Sequence, residues 1–227
     1  MSFLTINKTE TMNKKLILTT LLVAFTLGLF AQQRTTRLTL YKQFKPSTIT
    51  LKNGKKIKQE FTNVFLKNSS LVYLQGDNTM EANMANIAKV EFDDRTYTNI
   101  NNQLAYIIDS VGMNILYRVD IFDLEAYNQQ LRNNVNITAI PSFTGDMIST
   151  TATDLNNEGD YTLPVFPHFF ILYNGEIIRA HEREVSRHLP KDKEVNRKYR
   201  TVIDMKGFSW TDNKSLSDLL KAITVKE

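Results

Sequence analysis

The sequence predicts a β-rich α+β fold: an antiparallel meander or small barrel, or a sandwich-like body, with short helices at its C-terminal end. Three observations predict it. Asn53-Gly54 and Asn174-Gly175 each separate runs of alternating apolar and polar residues. Asn-Gly in that setting marks a hairpin, because both turn positions want positive φ. The chain is also rich in residues that suit a pleated, half-buried surface, with 9 Tyr and 13 Phe beside many Ile and Thr. Finally, Leu216, Leu219, Leu220 and Ile223 recur at the spacing of one helix face.

Taken in order, Gln32–Lys45 reads as a polar lead-in with some alternation around Leu38–Tyr41, closed by Pro46. Ile49 and Leu51 alternate with Thr50 and Lys52, and Ile57 returns after the Asn53-Gly54 turn. Phe61–Leu66 and Leu71–Leu74 read as two more strands, followed by Met80–Met84, Ala88–Phe92 and Tyr97–Ile100. Leu104–Ile108 and Ile115–Phe122 flank Val111-Gly112 as a further pair. Leu124, Tyr127 and Leu131 give a short helix its apolar face, and Ile137–Ile140 and Met147–Thr151 are weak strand candidates. Phe166–Tyr173 and Ile177–Arg179 form the second hairpin. A helix is expected over Arg179–Leu189, broken at Pro190, and another is marked by Val195, Tyr199, Val202 and Ile203. Ser215 and Asp218 suggest the cap of the last helix, which should pack on a sheet with Trp210 as an anchor.

The N-terminus predicts a compartment. Lys14 and Lys15 precede Leu16–Phe30, 15 residues without a charge, and Ala31 closes the run before Gln32 and Gln33. This is the layout of a secretory signal peptide. A membrane-spanning helix wants about 20 apolar residues, so cleavage after Ala31 is expected rather than anchoring. Residues 1–11 lie ahead of a second methionine, Met12, and read as an over-long start. Residues 1–31 are thus the signal, 32–45 the lead-in, 46–110 an N-terminal antiparallel β region and 111–227 an α+β region. No linker separates the last two, so one domain and two both remain open. The protein should be exported, to a periplasm or beyond the cell, with no transmembrane anchor after cleavage.

Composition narrows function. The net charge is +4, and the signal carries part of it in Lys8, Lys14 and Lys15. The remainder is no nucleic-acid footprint, and no nucleic-acid partner is expected. With 0 Cys, an exported chain has no disulfide framework, no thiol nucleophile and no thiolate metal site. None of the 8 Gly builds a phosphate-binding loop.

Ile49-Thr-Leu-Lys-Asn-Gly54, followed by Phe61–Leu74, resembles the opening strands of small Sm-like and SH3-like barrels. The resemblance covers only Ile49–Leu74 and implies strand geometry alone. Gln59 stands where the Sm pattern has a glycine, and the Sm nucleotide-contact signature is not present.

Four groups of residues are candidates for chemistry. Asp154, Asn156, Glu158 and Asp160 alternate around Gly159 as oxygen ligands do in a calcium loop. Val165 holds the twelfth position, where such a loop has Glu, and the competing reading is an Asx-rich turn. Arg179, Arg183, Arg187 and Lys191 would form one cationic row on a helix, suited to phosphate or an acidic glycan, unless neighbouring acids simply screen a solvated face. Asp120, Asp123 and Glu125 offer the carboxylates that a glycosidase uses. His181, Glu184 and His188 share a helix face, but their ends lie about 10 Å apart along an α-helix, too far for one ion. Gly207-Phe-Ser209-Trp-Thr211 has Thr where a nucleophile elbow needs Gly, and Asp109-Ser110-Val111-Gly112 is an aspartic-protease run interrupted by Val111. The leading expectation is a non-enzymatic binding or envelope-assembly module whose partner is an envelope protein or glycan. The alternatives are a secreted carboxylate hydrolase and a calcium-stabilised adhesin-like domain.

Overall fold

A computed structural model describes residues 38–133 and 163–224. Eight strands come first: β1 (Lys45–Leu51), β2 (Lys56–Phe65), β3 (Ser70–Gln75), β4 (Asn78–Glu81), β5 (Ile87–Glu91), β6 (Thr96–Ile100), β7 (Gln103–Val111) and β8 (Asn114–Phe122). Helix α1 (Leu124–Asn133) follows, then β9 (Val165–Tyr173) and β10 (Glu176–Arg179). Helices α2 (Glu182–His188), α3 (Lys193–Ile203) and α4 (Asn213–Ile223) end the described chain. The strands make one curled, antiparallel sheet in the order β10-β9-β8-β7-β6-β5-β1-β2-β3-β4. The fold is therefore α+β and β-rich, as the turn pattern predicts. No described helix is long and apolar enough to cross a membrane.

The curl closes at the β2–β3 turn. Leu104 N–H donates to Ser69 O at 2.7 Å, and the Ser69 hydroxyl donates to Leu104 O at 2.9 Å. The two hairpins built on Asn-Gly differ. Asn174 and Gly175 both take positive φ, 49° and 86°, as a two-residue primed turn requires. At the first, only Gly54 does (84°), and the loop widens to Lys52–Lys55 with Lys55 N–H held by Asn53 Oδ1.

Inside the curl of β1–β7 lies a core of Ile49, Val64, Leu71, Ile87, Val90, Phe92, Tyr97 and Leu104. Farther along the sheet, Leu116, Phe169, Ile171, Tyr173 and Ile178 carry a second core under the helices. Val185 of α2, Val195 and Tyr199 of α3, and Leu216, Leu219, Leu220 and Ile223 of α4 fill it. The four α4 residues are the ones whose spacing predicts the buried face. Phe208 and Trp210 pack half-buried against this layer, 5.1 Å apart edge to face.

Several expectations need correction. Ile57 and Phe61–Phe65 belong to one long strand, β2, which ends before Leu66. The lead-in is not merely polar, since Leu38 and Phe44 are buried. Leu40 N–H donates to Val64 O, Leu66 N–H donates to Leu38 O, and Asn63 bonds the Tyr41 backbone through both side-chain atoms. The cap of α4 is Asp212, not Ser215: its carboxylate accepts from Ser215 N–H at 2.8 Å, which starts the helix three residues earlier. The helix expected from Arg179 begins at Glu182, because β10 runs through Arg179 and His181 caps α2 from extended backbone.

Candidate functional site

Strand register places one row of side chains across the inner face of the sheet. Ile49 lies opposite Val90, Val90 opposite Tyr97, Tyr106 opposite Arg118, and Arg118 opposite Phe169. The Tyr97 and Tyr106 rings meet edge to face at 5.8 Å. The row is apolar at its ends and polar in the middle, where the barrel-like core gives way to the helix-covered one.

That middle is tightly bonded. Arg118 Nε donates to Asp120 Oδ1 at 2.6 Å, and the Tyr106 hydroxyl donates to Asp120 Oδ2 at 3.2 Å. Arg118 Nη1 reaches Asn213 Oδ1 at the start of α4, at 3.3 Å. The Arg95 guanidinium stacks over the Tyr106 ring at 4.1 Å, the geometry of a cation–π contact. Next to it the Tyr97 hydroxyl is buried and completes no hydrogen bond. On the near rim, the Tyr41 hydroxyl donates to Asp94 at 3.0 Å, and Lys45 bridges Asp93 and Asp94 at 3.3 and 3.4 Å. Burial and then the Asp120 charge push the Tyr106 phenol up to about 12. Burial likewise raises Tyr97, and it raises Tyr41 with help from Tyr97. All three phenols are neutral donors at neutral pH.

Of the candidate acids, Asp120 alone joins this cluster, with both oxygens engaged. Asp123 Oδ1 accepts from Ala126 N–H at 2.9 Å and caps α1, while Glu125 is exposed in its first turn. The three therefore do not converge on a shared gap. The cationic row is dispersed: Arg179 ends β10 with Nη2 3.3 Å from His168 Nδ1, Arg183 and Arg187 lie in α2, and Lys191 lies beyond its cap Leu189. Asp154, Asn156, Glu158 and Asp160 lie outside the described residues, as do Ile137–Ile140 and Met147–Thr151.

His181 caps α2, and His188 Nδ1 meets Glu184 O at 2.7 Å. No group of three metal-ligating side chains occurs among the described residues. Ser209 Oγ bonds Thr211 Oγ1 at 3.0 Å, and Asp109 pairs with Lys221 at 3.4 Å. Between α3 and α4 lies an open groove of about 520 Å3. Its lysines are already matched: Lys198 with Glu194 at 2.7 Å and Lys221 with Asp109.

The opposite face of β7–β10 is also apolar. Ile107 lies opposite Tyr117 and Tyr117 opposite Phe170, while Ile115, Leu172 and Ile177 form the next row. Ile100, Ala105, Tyr117 and Val119 are buried there, yet Ile107, Phe166 and Ile177 are 54%, 45% and 44% exposed. Every described member of this cluster comes from a strand, whereas α2–α4 cover the other side.

Arg95, Tyr97, Tyr106 and Arg118 are absent from the sequence candidates, since only cross-strand register assembles them. Compared with known protein families, with curated proteins and with solved structures, the chain matches none.

Proposed function

We propose that this is an exported, non-enzymatic binding module that docks to an envelope protein through the apolar outer face of β7–β10. The observation that carries the reading is the set of large apolar side chains, Ile107, Phe166 and Ile177, left in solvent on a face that is otherwise packed. Large apolar side chains left exposed along one sheet face are the kind of surface that a partner covers. The charge-free segment Leu16–Phe30 behind Lys14 and Lys15 supports export. The hydrolase reading through Asp120 and Asp123 lacks comparable support, because one acid is locked by Arg118 and Tyr106 and the other caps a helix.

The test is site-specific photocrosslinking in the native host, with the probe at Ile107 or Ile177 and a control probe at Lys55 in the Lys52–Lys55 loop. The expected result is a defined envelope adduct from the first two positions, abolished by Phe166→Glu. Adducts that form only within the chain itself, or equally from Lys55, would overturn the proposal. N-terminal sequencing of the exported chain should begin at Gln32.

A further inference from the structure

We propose that the β1–β2 hairpin is a second docking surface, and that its counterpart is an anionic phospholipid surface. The run Lys52-Asn-Gly-Lys-Lys-Ile-Lys-Gln-Glu60 holds four lysines and one acid. Every residue from Lys52 to Lys58 is exposed. Among the described residues, none of Lys52, Lys55, Lys56 and Lys58 enters an ion pair. Lys56 and Lys89 lie on either side of Thr50. Lys89 holds Glu91 at 2.8 Å, and that acid also feels the Lys56 charge. Glu91 is thus already matched by its own close partner.

Lysines on an open strand edge keep copies of a chain from pairing. That accounts for Lys56 and Lys58, because β3 joins β2 only from Thr62 onward. It does not account for Lys52 and Lys55, which lie in the turn beyond the paired strands. Like charges crowded on one tip repel, and an anionic partner relieves that repulsion. The form of the tip selects the anion. Its charges are lysine ammoniums, compact points on long stems, with no planar arginine fork among them. Such charges suit an extended field of headgroups better than one bound group. Ile57 lies among them, 37% exposed, on the strand face opposite to Lys56 and Lys58. Headgroup attraction and apolar burial at the acyl boundary together hold a chain to a membrane surface. A soluble polyanion would use the lysines and leave Ile57 in water. The proposed export brings the tip to such a surface, while its affinity for lipid belongs to the folded chain alone. A tip facing lipid gives a Lys55 probe no protein neighbour, so the two docking tests succeed or fail separately.

The test is co-sedimentation of the exported chain with vesicles of phosphatidylglycerol and phosphatidylcholine in equal parts, against vesicles of phosphatidylcholine alone. The chain should bind the anionic vesicles and not the neutral ones, and molar salt should release it. Each of Lys52→Gln, Lys55→Gln, Lys56→Gln and Lys58→Gln should weaken binding about fivefold. Lys193→Gln, at the start of α3, is the control and should change nothing. Ile57→Ser should weaken binding several-fold. The four lysines are exposed and unpaired, so their variants should keep the wild-type melting temperature. Release by salt needs no variant at all. No binding to the anionic vesicles, equal binding to the neutral ones, binding that survives molar salt, or an equal loss from Lys193→Gln would each overturn the proposal. So would a folded Ile57→Ser chain that binds as tightly as wild type. Competition by polygalacturonate would then give the tip to an acidic glycan.

Discussion

Arg118 and Asp120 lie on one strand, two residues apart, and their side chains meet at 2.6 Å rather than reaching across the sheet. Both are largely enclosed, with side chains 20% and 10% exposed. Removing one partner from such a pair leaves the other charge without compensation. Asp120→Asn should therefore cost about 2–3 kcal/mol. The melting temperature should fall by roughly 5–10 °C in a chain of this size. The double change Arg118→Met with Asp120→Leu should recover most of the loss, read by thermal denaturation.

Tyr106 sets an alkaline limit. Its phenol is held at about 12 in the folded chain against an ordinary 10.0. A raised value favours the protonated form, so its contribution is complete below pH 10 and is lost as pH climbs to about 12. The urea midpoint should fall across that window, and Tyr106→Phe should flatten the fall. Spectroscopic titration should show exposed tyrosines ionising first.

Asp212 controls the entry to α4. Ser215 N–H and then the Ser215 hydroxyl hold its carboxyl below the usual range. A lowered value means that the cap contributes above the ordinary carboxylate range and fails as acid brings the pH through the folded value. Asp212→Ala should lower the melting temperature by a few degrees at neutral pH. The difference from wild type should vanish in acid.

Gly175 tests the primed turn. Its φ is 86°, and a Cβ added there would meet nothing within 4 Å. The penalty of Gly175→Ala is therefore conformational alone, about 1 kcal/mol. A chemically synthesised D-alanine at the same place should instead stabilise. Urea unfolding of both variants decides the matter.

Much of the fold was legible in local pattern. Asn174-Gly175 places the β9–β10 hairpin, and the spacing of Leu216, Leu219, Leu220 and Ile223 selects the buried face of α4. Phe44 escaped because an isolated apolar residue in polar sequence carries no period, and the alternation around Leu38–Tyr41 is too short to announce that Leu38 and Leu40 bond to the end of β2 and its turn. The central cluster was hidden for a sharper reason. Counting back from the β7–β8 turn, Val111 meets Asn114 and Asp109 meets Leu116, which would set Tyr106 against Val119. The bulge between Ile107 and Asp109 moves the register by one, so Tyr106 meets Arg118 instead. A bulge re-aims every side chain beyond it. Nothing in Ile107-Ile108-Asp109 announces one. Asp120 could be singled out as an acid, but its partners could not.

The strand order has a bearing on how quickly the chain reaches its native state. Eight of the nine neighbouring pairs join strands consecutive in sequence, and only β1 and β5 meet out of turn. Among the consecutive pairs, β8 and β9 are the most widely separated, with Phe122 and Val165 at the ends of the intervening chain. Every other pairing closes a short loop, which costs little entropy and forms early. Refolding should therefore wait on two encounters, Ile49 with Val90 and Leu116 with Ile171. Before they occur, β1, β5, β8 and β9 each offer an unpaired edge, so dilute protein should refold cleanly where concentrated protein associates.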